Sequence, residues 1–148
     1  MILVEHILEA ARKRLAILSL ESPVCDAAAV LMNPDTPLAV VCDGNGIAVG
    51  VISRSDVLKV LASARADALG TCADAMMTRS VLSFRTDQPL QQVWEAINAR
   101  SLRCAPIVDG DGRPQGVLHA RDLASALLED VTYEELLLRD YVLGIGYQ

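Results

Sequence analysis

The sequence predicts an α/β fold of the α+β type, made of two tandem β-α-β-β-α units followed by a C-terminal helix. The first observation behind this is an internal repeat. Asp43-Gly44-Asn45-Gly46 matches Asp109-Gly110-Asp111-Gly112, and Gly50-Val51-Ile52-Ser53-Arg54-Ser55-Asp56 matches Gly116-Val117-Leu118-His119-Ala120-Arg121-Asp122, without a gap and 66 residues apart. Pro23 likewise falls on Pro89, Ala39 on Ala105 and Leu61 on Leu127. Several of these residues fix backbone geometry, so two copies of one supersecondary unit account for them. The second observation is an Asp-Gly turn between two β-type runs in each copy, which marks a hairpin. The third is size: 148 residues hold one ordinary domain or two very small ones.

In the first copy, Leu15 to Leu20 is a short β-type run. Ser22-Pro23 opens a helix to about Met32, with Ser as N-cap and Pro at the first helical position. Leu38 to Cys42 is a strand that turns at Asp43-Gly44-Asn45-Gly46 and returns as Ile47 to Ile52, and Ser53 starts a second helix to about Ala66. The second copy repeats the order: strand Val81 to Phe84, helix Pro89 to Arg100, hairpin Cys104 to His119, helix Ala120 to Leu128. Short helical turns precede the copies, at Val4 to Ala11 and Ala73 to Met77. After the repeat, Thr132-Tyr133-Glu134-Glu135 has the form of a capping box, and Leu136, Leu137, Leu138 and Tyr141 give a terminal helix an apolar side. The chain thus divides into residues 1–68, residues 69–130 and a helical extension at 131–148.

Apolar residues make up 52% of the chain but aromatics only 3%, so the core is aliphatic and bases have few rings to stack on. A net charge of -6 is the wrong sign for holding a phosphate backbone or an anionic membrane, so neither nucleic acid nor membrane is an expected partner. No stretch has the uninterrupted apolar length of a membrane span, and Met1-Ile2-Leu3-Val4-Glu5-His6 lacks the basic head of a signal peptide, which predicts a cytoplasmic protein. Cys25, Cys42, Cys72 and Cys104 form no Cys-x-x-Cys motif and read as buried free thiols; no metal site is expected. No nucleophile, base and orienting group stand together, so an enzyme is not expected.

These residues resemble a pair of CBS domains, the modules named for cystathionine β-synthase, of the small stand-alone bacterial type. "MMTRSVLSF", a helix, then "APIVDGDGRPQGVLHARDL" carry the resemblance in the second copy, and "VVCDGNGIAVGVISRSDVL" in the first. The resemblance implies two modules packed as a pseudo-two-fold pair. It also implies a regulatory module binding an adenosine-containing ligand, of the AMP, ATP, NAD or S-adenosylmethionine class, in a cleft between the modules. Occupancy would be signalled through a homodimer or a separate effector protein. No cofactor is required. A ligand-free structural or dimerisation module is the alternative.

The family pattern is Gly, two apolar residues, Ser or Thr, two variable residues, then Asp; here it is Gly50, Val51, Ile52, Ser53 and Asp56. A carboxylate can accept from both hydroxyls of a ribose, and a Ser hydroxyl at a helix start suits a sugar or phosphate oxygen. By resemblance the other module completes this cleft with Thr78, Val81, Leu102, Arg103, Cys104 and Pro106. Val81 and Leu102 would sandwich the adenine and Arg103 would reach phosphate. The opposite cleft would use Asp122 and Arg121, but His119 replaces the hydroxyl residue and Val40 the strand proline. Ser53-x-x-Asp56 equally fits a capping box that needs no ligand. His119 is a poor N-cap, so capping explains the recurrence of Asp122 less well than a shared site geometry does.

Overall fold

The computed structural model describes residues 1–63 and 66–145. A short 3-10 turn, Val4–Ile7, leads into α1 (Leu8–Lys13). The first repeat follows as β1 (Ile17–Ser19), α2 (Val24–Leu31), β2 (Leu38–Cys42), β3 (Ala48–Ser53) and α3 (Arg54–Ala62). The second lead-in is α4 (Ala73–Met76), and the second repeat comprises α5 (Leu90–Ala99), β4 (Cys104–Val108), β5 (Pro114–His119) and α6 (Ala120–Ile145). β1 pairs parallel with β2, which pairs antiparallel with β3; β4 and β5 form the second antiparallel hairpin.

Both hairpin turns are built alike. The Asp43 side chain accepts from the amides of Asn45 and Ile47 at 2.9 and 3.1 Å, and Asp109 accepts from Asp111 and Arg113, each at 2.9 Å. A short side chain bonding its own backbone two residues on is the reason Asp opens such turns.

Each lead-in packs into the core of the other repeat. Val4, Ile7 and Ala11 are buried with Phe84, Leu90, Val93 and Leu118, while Ala73, Met76 and Met77 are buried with Leu18, Val24, Val41 and Ile52. The backbone links duplicate too. Val4 N–H donates to Gln88 C=O and Leu90 N–H to Ile2 C=O; Ala73 N–H donates to Ser22 C=O and Val24 N–H to Thr71 C=O. Two glycines permit the crossings. A Cβ on Gly116 would stand 2.9 Å from the backbone carbon of Ala11, and one on Gly50 would stand 2.9 Å from the Thr78 carbonyl oxygen. Val4 therefore matches Ala73, whereas Ala11 matches Met77, so the first lead-in holds three residues that the second lacks. A third apolar cluster joins the hairpins, with Leu38, Val40, Cys42 and Val117 buried and Leu15, Val51 and Cys104 packed against them.

Several boundaries differ from the sequence expectation. Pro23, not Ser22, is the N-cap of α2, because the Ser22 hydroxyl accepts from Ser19 N–H at 3.0 Å instead. The strand predicted at Val81–Phe84 is reduced to one bridge, Phe84 with Ile107. The cause is Pro106. In the first repeat Val40 N–H donates to Ala16 C=O at 2.8 Å, and Pro106, at the matching position, has no N–H to give. α3 ends at Ala62 rather than Ala66. α6 runs unbroken through 132–135, so the terminal helix is its continuation and does not start at Thr132. The cysteines are not uniformly buried: Cys25 is exposed, Cys42 buried, Cys72 and Cys104 intermediate.

Candidate functional site

The missing ladder bond at Pro106 leaves residues 80–83 off the edge of β4, and a cavity of about 140 Å³ lies there between the hairpins. Val40, Gly50 and Val51 line it from the first repeat, and Arg79, Val81 and Pro106 from the second. Apolar cavities of about this volume take a single ring system. Of the predicted site residues, Val81 and Pro106 meet here.

β3 runs from the cavity wall to Ser53, the N-cap of α3. Asp56 accepts from Ser53 N–H at 2.9 Å and from its hydroxyl at 3.1 Å, while the Ser53 hydroxyl accepts from Asp56 N–H at 3.4 Å. The capping reading of this pair is therefore realised, and its polar atoms serve each other. Asp56 also lines an outer groove of about 720 Å³ with Lys59, Ser63 and Thr71. Thr78 exchanges backbone hydrogen bonds with Val51 at 3.0 and 2.8 Å, which ties the second lead-in to β3 beside the cavity; its side chain is exposed.

Leu102, Arg103 and Cys104 are at the start of β4 and do not line the cavity, although Cys104 packs in the same cluster as Val51. Arg103 C=O accepts from Ala120 N–H at 2.7 Å, and Cys104 pairs with His119 across the hairpin. His119 does cap α6, contrary to expectation: its Nδ1 accepts from Arg121 N–H at 3.0 Å. Burial, then the cations of Arg14 and Arg121, hold this imidazole below its ordinary pKa, with Asp122 opposing. Burial pushes the Cys104 thiol up, against the pull of Arg14, Arg103 and Arg54. Arg54 itself is engaged, donating to the carbonyls of Leu31, Asn33 and Thr36 at 2.9 to 3.1 Å, which fixes the proline-bearing segment after α2.

Asp122 forms an ion pair with Arg14, a residue that the sequence reads as part of a solvated basic run, Arg12-Lys13-Arg14. The signal lay in the repeat: Arg14 stands 66 residues before Ser80, in the lead-in to β1. The cavity lining by Val40 and Arg79 was likewise not foreseen. Among the described residues no group of three His, Cys, Asp or Glu is placed to hold a metal, and no helix is long and apolar enough to cross a membrane.

A family model for the CBS domain matches residues 4–63 and again 72–129. The chain belongs to the CBS domain family. As a CBS pair it superimposes on the crystal structure of CBSX2 in complex with AMP with a TM-score of 0.74 and 26% identity, covering 87% of this chain and 98% of that one. CBSX2 from Arabidopsis thaliana, a CBS-pair protein, gives a TM-score of 0.73 and 25% identity over 88% and 97% of the two chains. The CBS domain pair of protein MJ0100, in complex with 5'-methylthioadenosine and S-adenosyl-L-methionine, shares the fold, with a TM-score of 0.71 and 23% identity over 86% of this chain and 97% of that one. An uncharacterized 17.7 kDa protein of Acidianus ambivalens is 26% identical over 106 residues, 72% of this chain and 63% of that protein, so the match spans less than two thirds of the relative.

Proposed function

We propose that this CBS pair is a regulatory module that binds an adenine nucleotide between its hairpins. The observation that carries the reading is the cavity opened by Pro106. It is ring-sized, lined by apolar side chains together with Arg79 and Ser83, and flanked by β3, whose last residue Ser53 caps the helix that carries Asp56. The base would lie against Val51, Val81 and Pro106, with the ribose hydroxyls on the Asp56 carboxylate. The AMP bound by the similar CBSX2 supports a mononucleotide as the ligand. Ligand would clamp the two hairpins in one orientation and shift the population of pair geometries seen by a second copy or an effector protein. Exposed leucines on the outer helices, Leu58 at 62% and Leu128 at 69%, supply apolar surface for such a contact.

The capping box supports a second reading, a ligand-free structural module, because Ser53 and Asp56 are already satisfied by each other. A thermal-shift panel of AMP, ADP, ATP, NAD, NADH and S-adenosylmethionine separates the two. At a hundred times its dissociation constant a ligand adds about 2.7 kcal/mol, which for a chain of this size raises Tm by roughly 5 to 10 °C. No rise with any of them leaves the structural reading.

A further inference from the structure

The two clefts of the pair are not equivalent. At the first, Asp56 accepts from the Ser53 amide and hydroxyl, and the cavity stands open where Pro106 cannot donate. At the second, Asp122 also lines an outer groove, of about 450 Å³ with Lys13 and Ser125, but the inner positions are filled from within. Asp122 pairs with Arg14, the two side chains being 25% and 21% exposed. His119 gives its Nδ1 to the Arg121 amide. The counterparts of Val51, Val81 and Pro106 are Val117, Leu15 and Val40, and these pack together with Cys42 and Cys104 in the cluster that joins the hairpins. Val40 keeps the ladder bond to Ala16 that Pro106 lacks, so β1 stays zipped where residues 80–83 stand away.

We infer that the chain takes one nucleotide per molecule, in the cleft of Ser53 and Asp56, and that the Arg14 guanidinium stands in the opposite cleft in place of a ligand. This rests on the nucleotide-binding reading above. A cation on Asp122 occupies one of the two acceptor oxygens that a ribose would need, and desolvation makes it costly to pull either partner away alone. Leu15 and Val117 pack against Val40 where a base would lie in the second cleft, while the other side of Val40 lines the open cavity of the first. The second cleft thus acts as a fixed fastening between the hairpins, and the first is left as the responsive one.

Calorimetric titration of the full chain with AMP tests this, using Asp56→Asn and Asp122→Asn as isosteric variants. The expected results are one AMP per chain in the wild type, at least tenfold weaker binding in Asp56→Asn, and affinity within twofold of wild type with unchanged stoichiometry in Asp122→Asn. Arg14→Ser combined with Val40→Pro copies Ser80 and Pro106 into the second cleft and should bind two AMP. One AMP in that folded double variant removes Arg14 and Val40 as the closing residues; if it does not fold, the isosteric pair decides. Two AMP per wild-type chain, or binding lost in Asp122→Asn and kept in Asp56→Asn, overturns the inference and leaves the nucleotide reading standing. A wild type that takes no AMP overturns both.

Discussion

Val40 and Pro106 hold the same place in the two hairpins, and only Val40 donates an amide across its parallel edge, to Ala16 C=O at 2.8 Å. Pro106→Ala restores the missing donor. The regained hydrogen bond contributes about 1 kcal/mol, and the freer unfolded chain offsets about 0.4–1 kcal/mol of it, so stability should barely move. Ligand affinity should fall at least tenfold as residues 80–83 close onto β4 and the cavity shrinks. A Pro106→Ala chain that binds AMP as tightly as wild type would remove the ladder from the account of the cavity.

Gly50 and Gly116 give a paired prediction. A Cβ at Gly116 meets the backbone carbon and the Cβ of Ala11, both at 2.9 Å, which α1 cannot yield without moving. At Gly50 the Met77 sulfur at 2.7 Å can swing away, but the Thr78 carbonyl oxygen at 2.9 Å cannot. Both alanine variants should lose about 1–3 kcal/mol in urea unfolding, as overpacked sites do, with Gly116→Ala the larger loss. Equal stability of Gly116→Ala and wild type would mean that α1 does not cross β5 this closely.

The repeat made the hairpins and the helix starts legible, because Asp43, Asp109, Ser53 and the paired glycines act locally. It misled where a distant residue decides the outcome. Val81 to Phe84 reads as a strand, but its pairing depends on Pro106, more than twenty residues further on. Ser22 looks like a cap until Ser19 claims its hydroxyl. The ungapped match says nothing of the first lead-in, whose three additional residues shift the equivalence between Val4 and Ala11. Thr78, Val81 and Pro106 lie by the cavity, whereas the pairing of Arg14 with Asp122 is made by tertiary packing.

Ser53→Ala removes the hydroxyl that accepts from Asp56 N–H and should cost about 1 kcal/mol, the usual worth of an N-cap. Asp56→Asn keeps an acceptor oxygen for Ser53 N–H and should cost less. If the pair only caps, ligand-induced Tm shifts survive both substitutions. If Asp56 also takes the ribose, Asp56→Asn abolishes the shift while stability changes little. The two variants therefore separate capping from binding in one thermal-shift series.

Cys25 is exposed and Cys42 is buried, with its thiol raised by burial and then by Asp43. Only thiolate reacts with a disulfide reagent, and only where the reagent reaches it. In the native chain Cys25 should therefore label first and Cys42 last, with all four equal in urea. Mass mapping after a timed pulse reads the order; fast labelling of Cys42 would contradict the packing of Cys42 with Val40 and Val117.

His119 makes stability depend on pH. Burial and the neighbouring Arg14 and Arg121 disfavour its charged form, so the folded pKa lies below the ordinary 6.5 that the unfolded chain retains. As pH falls below that ordinary value the unfolded chain takes up a proton that the folded chain refuses. The stability contribution is thus fully present above the ordinary pKa and is lost as pH drops through the lowered folded one. Protonation at Nδ1 also destroys the acceptor for Arg121 N–H, so the start of α6 loses its cap in the same range. His119→Asn supplies a good N-cap that does not titrate. Urea midpoints measured between about pH 5 and 8 should fall on acidification in the wild type and fall less in the variant. Parallel curves for the two proteins would place the titrating group elsewhere in the chain.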